Sequence, residues 1–176
     1  MIDGEGIELR ALQTEDVWLM YKWYNDARVM DDMASPQELF APSIEEVRRS
    51  LERSVGSSRE RYFIVQFAGG RALGFVSLTS IDVRNASAEL TAVIGETEEW
   101  GKGVGREATM RVVKYAFDVL NLHRIHLRVA EHNPRAIACF EASGFVREGT
   151  LRDDHYHKGA YRSSHIMGVL RDEGST

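Results

Sequence analysis

The segment Trp100–Arg106, with the sequence Trp-Gly-Lys-Gly-Val-Gly-Arg, contains three alternating glycines. It lies between a strand-like run at 89–94 and an apolar-periodic pattern at 104–120 that is typical of a helix. A helix leaves its first amide N–H groups unpaired and has partial positive charge at that end. Glycine lets a ligand approach the backbone closely because it has no Cβ. The segment therefore predicts a cradle for a phosphate group.

Two known phosphate-binding motifs can be compared with this cradle. The P-loop, in which Gly and four residues precede Gly-Lys-Ser/Thr, does not occur in the sequence. The dinucleotide fingerprint G-x-G-x-x-G/A fits residues 103–108, with Glu131 as a loose candidate for the ribose-binding acid. Too little chain follows for a doubly wound sheet, so NAD binding is kept only as an alternative function of this segment. A further alternative is that the glycines only turn the chain and bind no ligand.

Composition limits the compartment and the class of partner. A chain of 176 residues, 43% hydrophobic and 28% charged, fits a single domain over 1–176. The one cysteine, Cys139, fits a reducing compartment, and neither a signal-peptide core nor a membrane-length apolar run occurs. We therefore predict a cytoplasmic protein that does not bind membranes. The net charge of −5 argues against nucleic-acid binding and weakly favours cationic acceptors.

Local patterns predict several elements before the cradle. Strands are expected at 7–10, 62–67, 72–78 and 87–94, with turns at Gly69-Gly70 and Arg84-Asn85. Helices are expected at about 14–25 and 43–53, and no regular element at 27–42. The first helix has an aromatic set that we expect to face the core, with an acceptor pocket as the alternative: Trp18, Tyr21, Trp23 and Tyr24.

Further elements are predicted after the long helix. A strand at 125–129 should lie parallel to the one at 89–94, because a helix connects them. Asn133-Pro134 is typical of a helix start, and Gly144 of a helix end. Two last strands, at 145–152 and 160–170, should be joined by a turn at Lys158-Gly159.

Two segments, residues 98–108 and 131–145, resemble the GNAT superfamily of N-acetyltransferases. Residues 23–26 and 148–152, with Gly159, Tyr161 and 167–168, resemble the branch that contains ribosomal-protein N-terminal and spermidine acetyltransferases. The resemblance implies an α/β (mixed α+β) fold with a central, mostly antiparallel sheet, flanked by helices and splayed at one parallel strand pair. Acetyl-CoA would lie in the split.

The resemblance also implies roles for individual residues. The pyrophosphate would be bound by the glycine segment: Trp100, Gly101, Lys102, Gly103, Val104, Gly105 and Arg106. Backbone at Val93 and Ile94 would pair with the pantetheine arm, and Asn133 would contact the cofactor or only cap its helix. Phe140, also assigned to the cofactor site, stands where many members have a tyrosine that protonates the leaving thiolate. The adjacent Cys139 is predicted to be a core thiol, since consecutive helix residues point about 100° apart.

Amine acetylation requires a proton acceptor, because an alkyl amine with a pKa near ~10 is protonated at neutral pH. Glu89 is the candidate base: alternation places it with Thr91 and Val93 on one face, and family members often use a glutamate here. A solvated strand glutamate is the alternative. His155 and His157 share a face of the last hairpin and are predicted to be exposed, with an acceptor pocket as the alternative. The spacing of His, Cys and Asp supports no metal site.

The predicted function is acetyl-CoA-dependent N-acetyl transfer, directly within a ternary complex, to a primary amine. A protein N-terminus, a polyamine and another small amine remain open as acceptors. Four acidic residues weakly favour a cationic acceptor, although solvated charge also explains them: Asp31, Asp32, Asp153 and Asp154. A non-catalytic acyl-CoA sensor is the alternative, which Phe140 favours. The exposed edge expected of the last hairpin suggests a homodimer.

Overall fold

The chain folds around one mixed sheet, seen in a computed structural model that describes residues 6–31, 33 and 41–173. In these ranges the sheet has seven strands in the order β1-β2-β3-β4-β5-β7-β6. They are β1 (Ile7–Ala11), β2 (Arg61–Phe67), β3 (Ala72–Asp82), β4 (Ser87–Ile94), β5 (Arg124–Ala130), β6 (Val146–His157) and β7 (Ala160–Leu170).

Helices cover both faces of the sheet. They are α1 (Val17–Tyr24), α2 (Ala27–Met30), α3 (Ile44–Val55), α4 (Val104–Asp118) and α5 (Pro134–Glu141). The apolar face of α4, including Ala108 and Val112, packs in one core with the strands. Val17 and Trp23 of α1 and Val47 of α3 pack in a second core with Phe75 on the opposite face. No helix in the described ranges has the length and apolar composition needed to span a bilayer.

The split in the sheet lies between β4 and β5, which are its parallel pair. Their register contains only Ser87–Arg124, Ala88–Ile125 and Glu89–His126, after which the strands diverge. The other strand pairs of the sheet are antiparallel. The predicted sheet, splayed at one parallel pair, is therefore confirmed. The dinucleotide-binding alternative is wrong, because a doubly wound fold needs a mostly parallel sheet.

Three local predictions need correction. The predicted irregular stretch begins with the one-turn helix α2, whose first turn is capped by the Asp26 side chain accepting from the Arg28 N–H at 3.0 Å. The last hairpin is longer than predicted, because β6 continues to His157 across two register shifts. Trp18 is 62% exposed and does not join the core stripe, whereas Trp23 is fully buried beside Phe75.

Candidate active site

A cavity of about 370 Å³ opens where β4 and β5 diverge. One wall is formed by 90–94 of β4 and the other by 128–130 of β5. Residues of the glycine segment and of α5 complete the lining. Val29 of α2 and Met33 line it as well. The short parallel pairing therefore creates the cavity, since the strands would fill this space if their pairing continued.

The glycine segment forms the predicted turn into α4. Gly101 and Gly103 have φ values of +76° and +88°, a left-handed conformation that favours glycine. Gly103 is the N-cap of α4, so the first amide N–H groups of the helix follow it directly. A Cβ at either glycine would meet no atom within 4 Å, which leaves this side of the backbone open to a ligand. The geometry fits a phosphate cradle.

Trp100 connects the two sides of the cavity mouth. Its indole Nε1–H donates to the carbonyl oxygen of Ile94 at 2.7 Å. The guanidinium carbon of Arg135, on α5, lies 3.6 Å from the centroid of the Trp100 ring. Trp100 thus joins the end of β4 to α5. Arg135 was not among the predicted site residues, although it directly follows Asn133-Pro134, the predicted helix start.

Two residues of the predicted cofactor-binding set, Lys102 and Val104, lie outside the cavity lining. The Lys102 ammonium donates to Glu99 Oε2 at 3.1 Å, and the Arg71 guanidinium binds the other oxygen of Glu99. The hydrogen bond from Lys102 and then that from Arg71 lower the pKa of the Glu99 carboxyl. Val104 is 7% exposed and packs in the core. Lys102 and Val104 can therefore serve the cradle through their backbone amides.

Three residues at or near α5 contribute to the cavity lining. The Asn133 side chain accepts from the Ala136 N–H at 2.9 Å, so it caps α5, and the same residue lines the cavity. Phe140 is 7% exposed, lines the cavity and packs edge-to-face on Phe145. Cys139 was predicted to be a core thiol, but it is half-buried and lines the cavity too. Burial raises the pKa of this thiol, against the opposing effect of Arg106, so it stays protonated at neutral pH.

Glu89 is the last residue of β4 that pairs with β5, opposite His126, and the cavity wall begins at the next residue, Leu90. It shares its face of the strand with Thr91, which lines the cavity, and with Val93. Within the described residues, its carboxylate forms no hydrogen bond or ion pair with another side chain. Glu89, the candidate general base, therefore lies where β4 and β5 begin to diverge, and its carboxylate oxygens have no side-chain partner within the described residues.

The predicted exposure of the hairpin histidines is wrong. His155 is 5% exposed, and its Nδ1 lies 3.2 Å from Ser164 Oγ. The register shift between Leu151 and His155 changes which residues of β6 face inward, which simple alternation cannot predict. His155 and His157 both contact His132, which precedes Asn133.

Two of the acidic residues considered for a cationic acceptor are paired with cationic side chains of the protein itself. Asp31 forms an ion pair with Lys158, and Asp154 lies 3.4 Å from Arg128. Asp153 is exposed in β6, and Asp32 lies outside the described residues. Across the described part of the chain, no three His, Cys, Asp or Glu side chains are arranged to hold a metal ion.

Comparison with known proteins agrees with this geometry. The acetyltransferase (GNAT) domain family matches residues 7–146. The chain is 32% identical over 168 residues to the spermidine N(1)-acetyltransferase of Vibrio cholerae, covering 95% of this chain and 94% of the relative. It is 30% identical over 174 residues to the Escherichia coli enzyme of that name, covering 98% and 90%. A crystal structure of Vibrio cholerae spermidine N-acetyltransferase with CoA and spermine superimposes with a TM-score of 0.90 at 30% identity, covering 98% of this chain and all of that one.

The fold, the cavity and these matches define the class: the chain belongs to the GNAT family of N-acetyltransferases. The predicted resemblance and the spermidine acetyltransferase-like branch are confirmed. It is an N-acetyltransferase, and acetyl-CoA is its acetyl donor.

Proposed function

We propose that this protein acetylates a primary amine of a polyamine such as spermidine. The observation that carries the proposal is similarity at 30% identity or more, over nearly the whole chain, to spermidine acetyltransferases. The cavity where β4 and β5 diverge is where we place the meeting of donor and acceptor. The net charge of −5 suits a polycationic substrate. A protein N-terminus remains the alternative acceptor.

We further propose that the glycine segment binds the donor. In this assignment, the amides between Gly101 and Arg106 bind the pyrophosphate, and Asn133 contacts the cofactor while it caps α5. The backbone near Val93 and Ile94 pairs with the pantetheine arm, and an N–H there polarises the thioester oxygen. The Ile94 carbonyl oxygen already accepts a hydrogen bond from Trp100, so the Ile94 N–H is the more available backbone group of Ile94 for a bound cofactor. The Phe140 ring supplies an apolar wall.

Transfer would be direct, within a ternary complex. The amine nitrogen attacks the thioester carbon, the C–S bond breaks, and CoA leaves as a thiolate. The amine proton goes to Glu89, directly or through water. Cys139 supports this route over a covalent intermediate, because a thiol whose pKa is raised by burial is a poor nucleophile. Phe140 has no proton to give, so water protonates the thiolate.

Phe140→Tyr tests that last step. We expect kcat to rise by about tenfold, because the new hydroxyl can protonate the thiolate. This rise is smaller than the rate contribution of about 10²–10⁴-fold that is typical of a general acid in an evolved active site. Steady-state kinetics with a saturating amine measures the change. Phe145→Tyr is the matched control, since Phe145 packs on Phe140 but does not line the cavity, and it should not raise kcat. An unchanged kcat in Phe140→Tyr would show that thiolate protonation does not limit turnover.

Ligand binding and acceptor choice test the function as a whole. Acetyl-CoA at a hundredfold excess over its Kd should stabilise the protein by about 2.7 kcal/mol, whereas NAD should not. Thiol release from acetyl-CoA should then be fastest with spermidine or spermine in a panel that includes peptides with free N-termini. Release only with a peptide would favour the alternative acceptor. Stabilisation without release from any amine would favour the non-catalytic acyl-CoA sensor.

The predicted homodimer and the predicted cytoplasmic location stay predictions. β6 is the edge of the sheet and exposes apolar side chains at Val146 and Tyr156. Such an edge is a natural site for pairing with a second copy. Sedimentation velocity and cell fractionation would test the two points.

A further inference from the structure

The charged lining of the cavity is mostly positive, although the chain as a whole is acidic. Among the described residues that line the cavity, four carry charge: Glu99, Arg106, Arg128 and Arg135. Glu99 and Arg128 each form ion pairs with other side chains of the protein. The lining therefore has a surplus of positive charge in a chain whose net charge is −5. Positive charge gathered in a cavity of an acidic protein favours an anionic ligand.

The acetyl donor carries its negative charge on phosphate groups. Acetyl-CoA has a pyrophosphate and a 3′-phosphate on its ribose, whereas its pantetheine arm and acetyl group are uncharged. A guanidinium group binds phosphate through paired, charge-assisted hydrogen bonds. An arginine that lines the cavity therefore matches a phosphate of the donor, and its positive charge would repel a cationic amine.

Arg135 is placed next to the glycine segment by stacking. Its guanidinium carbon lies 3.6 Å from the centroid of the Trp100 ring, and Trp100 directly precedes Gly101 in the chain. Stacking uses the flat face of the guanidinium, while its N–H groups lie in the plane of the group. The side chain is exposed, so a phosphate can approach it from solvent. The stack thus places a cation beside the segment that we propose as the donor site.

Trp100 is a fixed platform for this cation. Its indole Nε1–H donates to the Ile94 carbonyl oxygen at 2.7 Å, which ties the ring to the end of β4. The half-buried ring also packs against the core that contains α1 and α3. Stacking on a ring held in two ways restricts the rotamers of Arg135, so less side-chain entropy is lost when a ligand binds.

We infer that Arg135 binds a phosphate group of acetyl-CoA and that Trp100 is the residue that positions it. This inference rests on the proposed donor site at the glycine segment, to which it adds a charged side chain from α5. The backbone amides of that segment contribute partial charges, whereas Arg135 contributes a full one. Arg135 should therefore increase the affinity for donors that carry phosphate and leave the affinity for free pantetheine unchanged.

Isothermal titration calorimetry of the intact chain with CoA, dephospho-CoA and pantetheine tests the contact. Arg135→Gln should raise the Kd for CoA by about tenfold and leave the Kd for pantetheine unchanged. The control is Arg147→Gln, which removes an exposed arginine of β6 outside the cavity lining and should change neither Kd. A wild-type Kd for CoA in Arg135→Gln, or an equal weakening of pantetheine, would overturn the inference.

Dephospho-CoA, which lacks the 3′-phosphate, identifies the phosphate that Arg135 contacts. If Arg135→Gln weakens dephospho-CoA as much as CoA, the contact is with the pyrophosphate. If it weakens CoA alone, the contact is with the 3′-phosphate. Both results support a phosphate contact.

Gly103→Ala separates a failure of this inference from a failure of the donor site. Gly103 has a φ of +88°, and a Cβ there would enter the side of the backbone that is open to a ligand. If Gly103→Ala weakens CoA binding and Arg135→Gln does not, the donor site stands and the role of Arg135 is overturned. If neither variant weakens CoA binding, both assignments are overturned. None of these measurements needs an acceptor, so they hold for any amine substrate.

Exchanges at Trp100 test whether it acts through Arg135. Trp100→Phe keeps a ring for the guanidinium, so its Kd for CoA should stay within about threefold of wild type. Trp100→Leu removes the ring and should weaken CoA binding about as much as Arg135→Gln does. In the double variant the two effects should not multiply, because both changes remove the same contact. Multiplied effects, or a Trp100→Phe variant as weak as Trp100→Leu, would overturn the positioning role of Trp100.

Discussion

Glu89→Gln should lower kcat by about 10²–10⁴-fold, the contribution typical of a positioned general base. Glutamine keeps the size of the side chain but cannot accept the amine proton. Glu89 is suited to this role because β4 and β5 stop pairing at this residue and the cavity wall begins at the next one. Within the described residues, its carboxylate has no side-chain partner, so its loss should not disturb an ion pair.

Acetyl-CoA affinity distinguishes a catalytic role from a structural one. In Glu89→Gln the Kd for acetyl-CoA should match that of wild type, because the glycine segment that we propose as the donor site lies beyond the other end of β4. Glu141→Gln is a matched control, since Glu141 is an exposed glutamate at the end of α5, and its kcat should not change. A kcat in Glu89→Gln within about twofold of wild type would remove Glu89 as the base.

Gly74→Ala should have the largest effect on stability. A Cβ at Gly74 would lie 2.0 Å from the Val93 carbonyl oxygen and 2.8 Å from Ile94 Cα. Both of these are backbone atoms of β4, so no side chain can move aside, and β3 and β4 must separate. We expect a loss of about 3 kcal/mol or more and a Tm lower by roughly 10 °C. Thermal unfolding followed by circular dichroism measures both.

The same change should weaken acetyl-CoA binding, because Val93 and Ile94 form the cavity wall assigned to the pantetheine arm. Gly149→Ala is the control: Gly149 lies on β6, and a Cβ there would meet nothing within 4 Å. Its Tm should stay within about 2 °C of wild type. If Gly74→Ala unfolds at the wild-type temperature and binds acetyl-CoA normally, then β4 tolerates movement at the point where we place the donor.

Elements that depend on local chemistry were predictable. The hairpin at Gly69-Gly70, the capping box at Ser43 and the cap at Asn133 are set by residues within a few positions of one another. The strand, glycine segment and helix around Gly103 form such a local unit, and a helix connection allows a parallel pairing of the strands on either side. Two separated motifs at fitting spacing then indicated the acetyltransferase class, which the comparisons confirmed.

Errors arose where distant segments decide the outcome. The burial of His155 depends on a register shift in β6 and on His132, neither of which alternation reveals. Cys139 was assigned to the core from helix geometry, yet it faces a cavity that exists only because β4 and β5 diverge. Trp18 is exposed although it is near Trp23 in the same short helix, because the sheet covers only one side of α1.

By itself, the sequence determined the fold class and the kind of reaction, through two motifs that resemble the GNAT family, and it predicted the glycine turn into α4 from residue types at short, fixed spacing. Only the tertiary structure decided that β4 and β5 pair over three positions and then separate, which sets the cavity and the place of Glu89. It also brought Asp31 to Lys158, 127 residues away in the chain. Contacts of that range follow from how whole elements pack, and no local pattern encodes them.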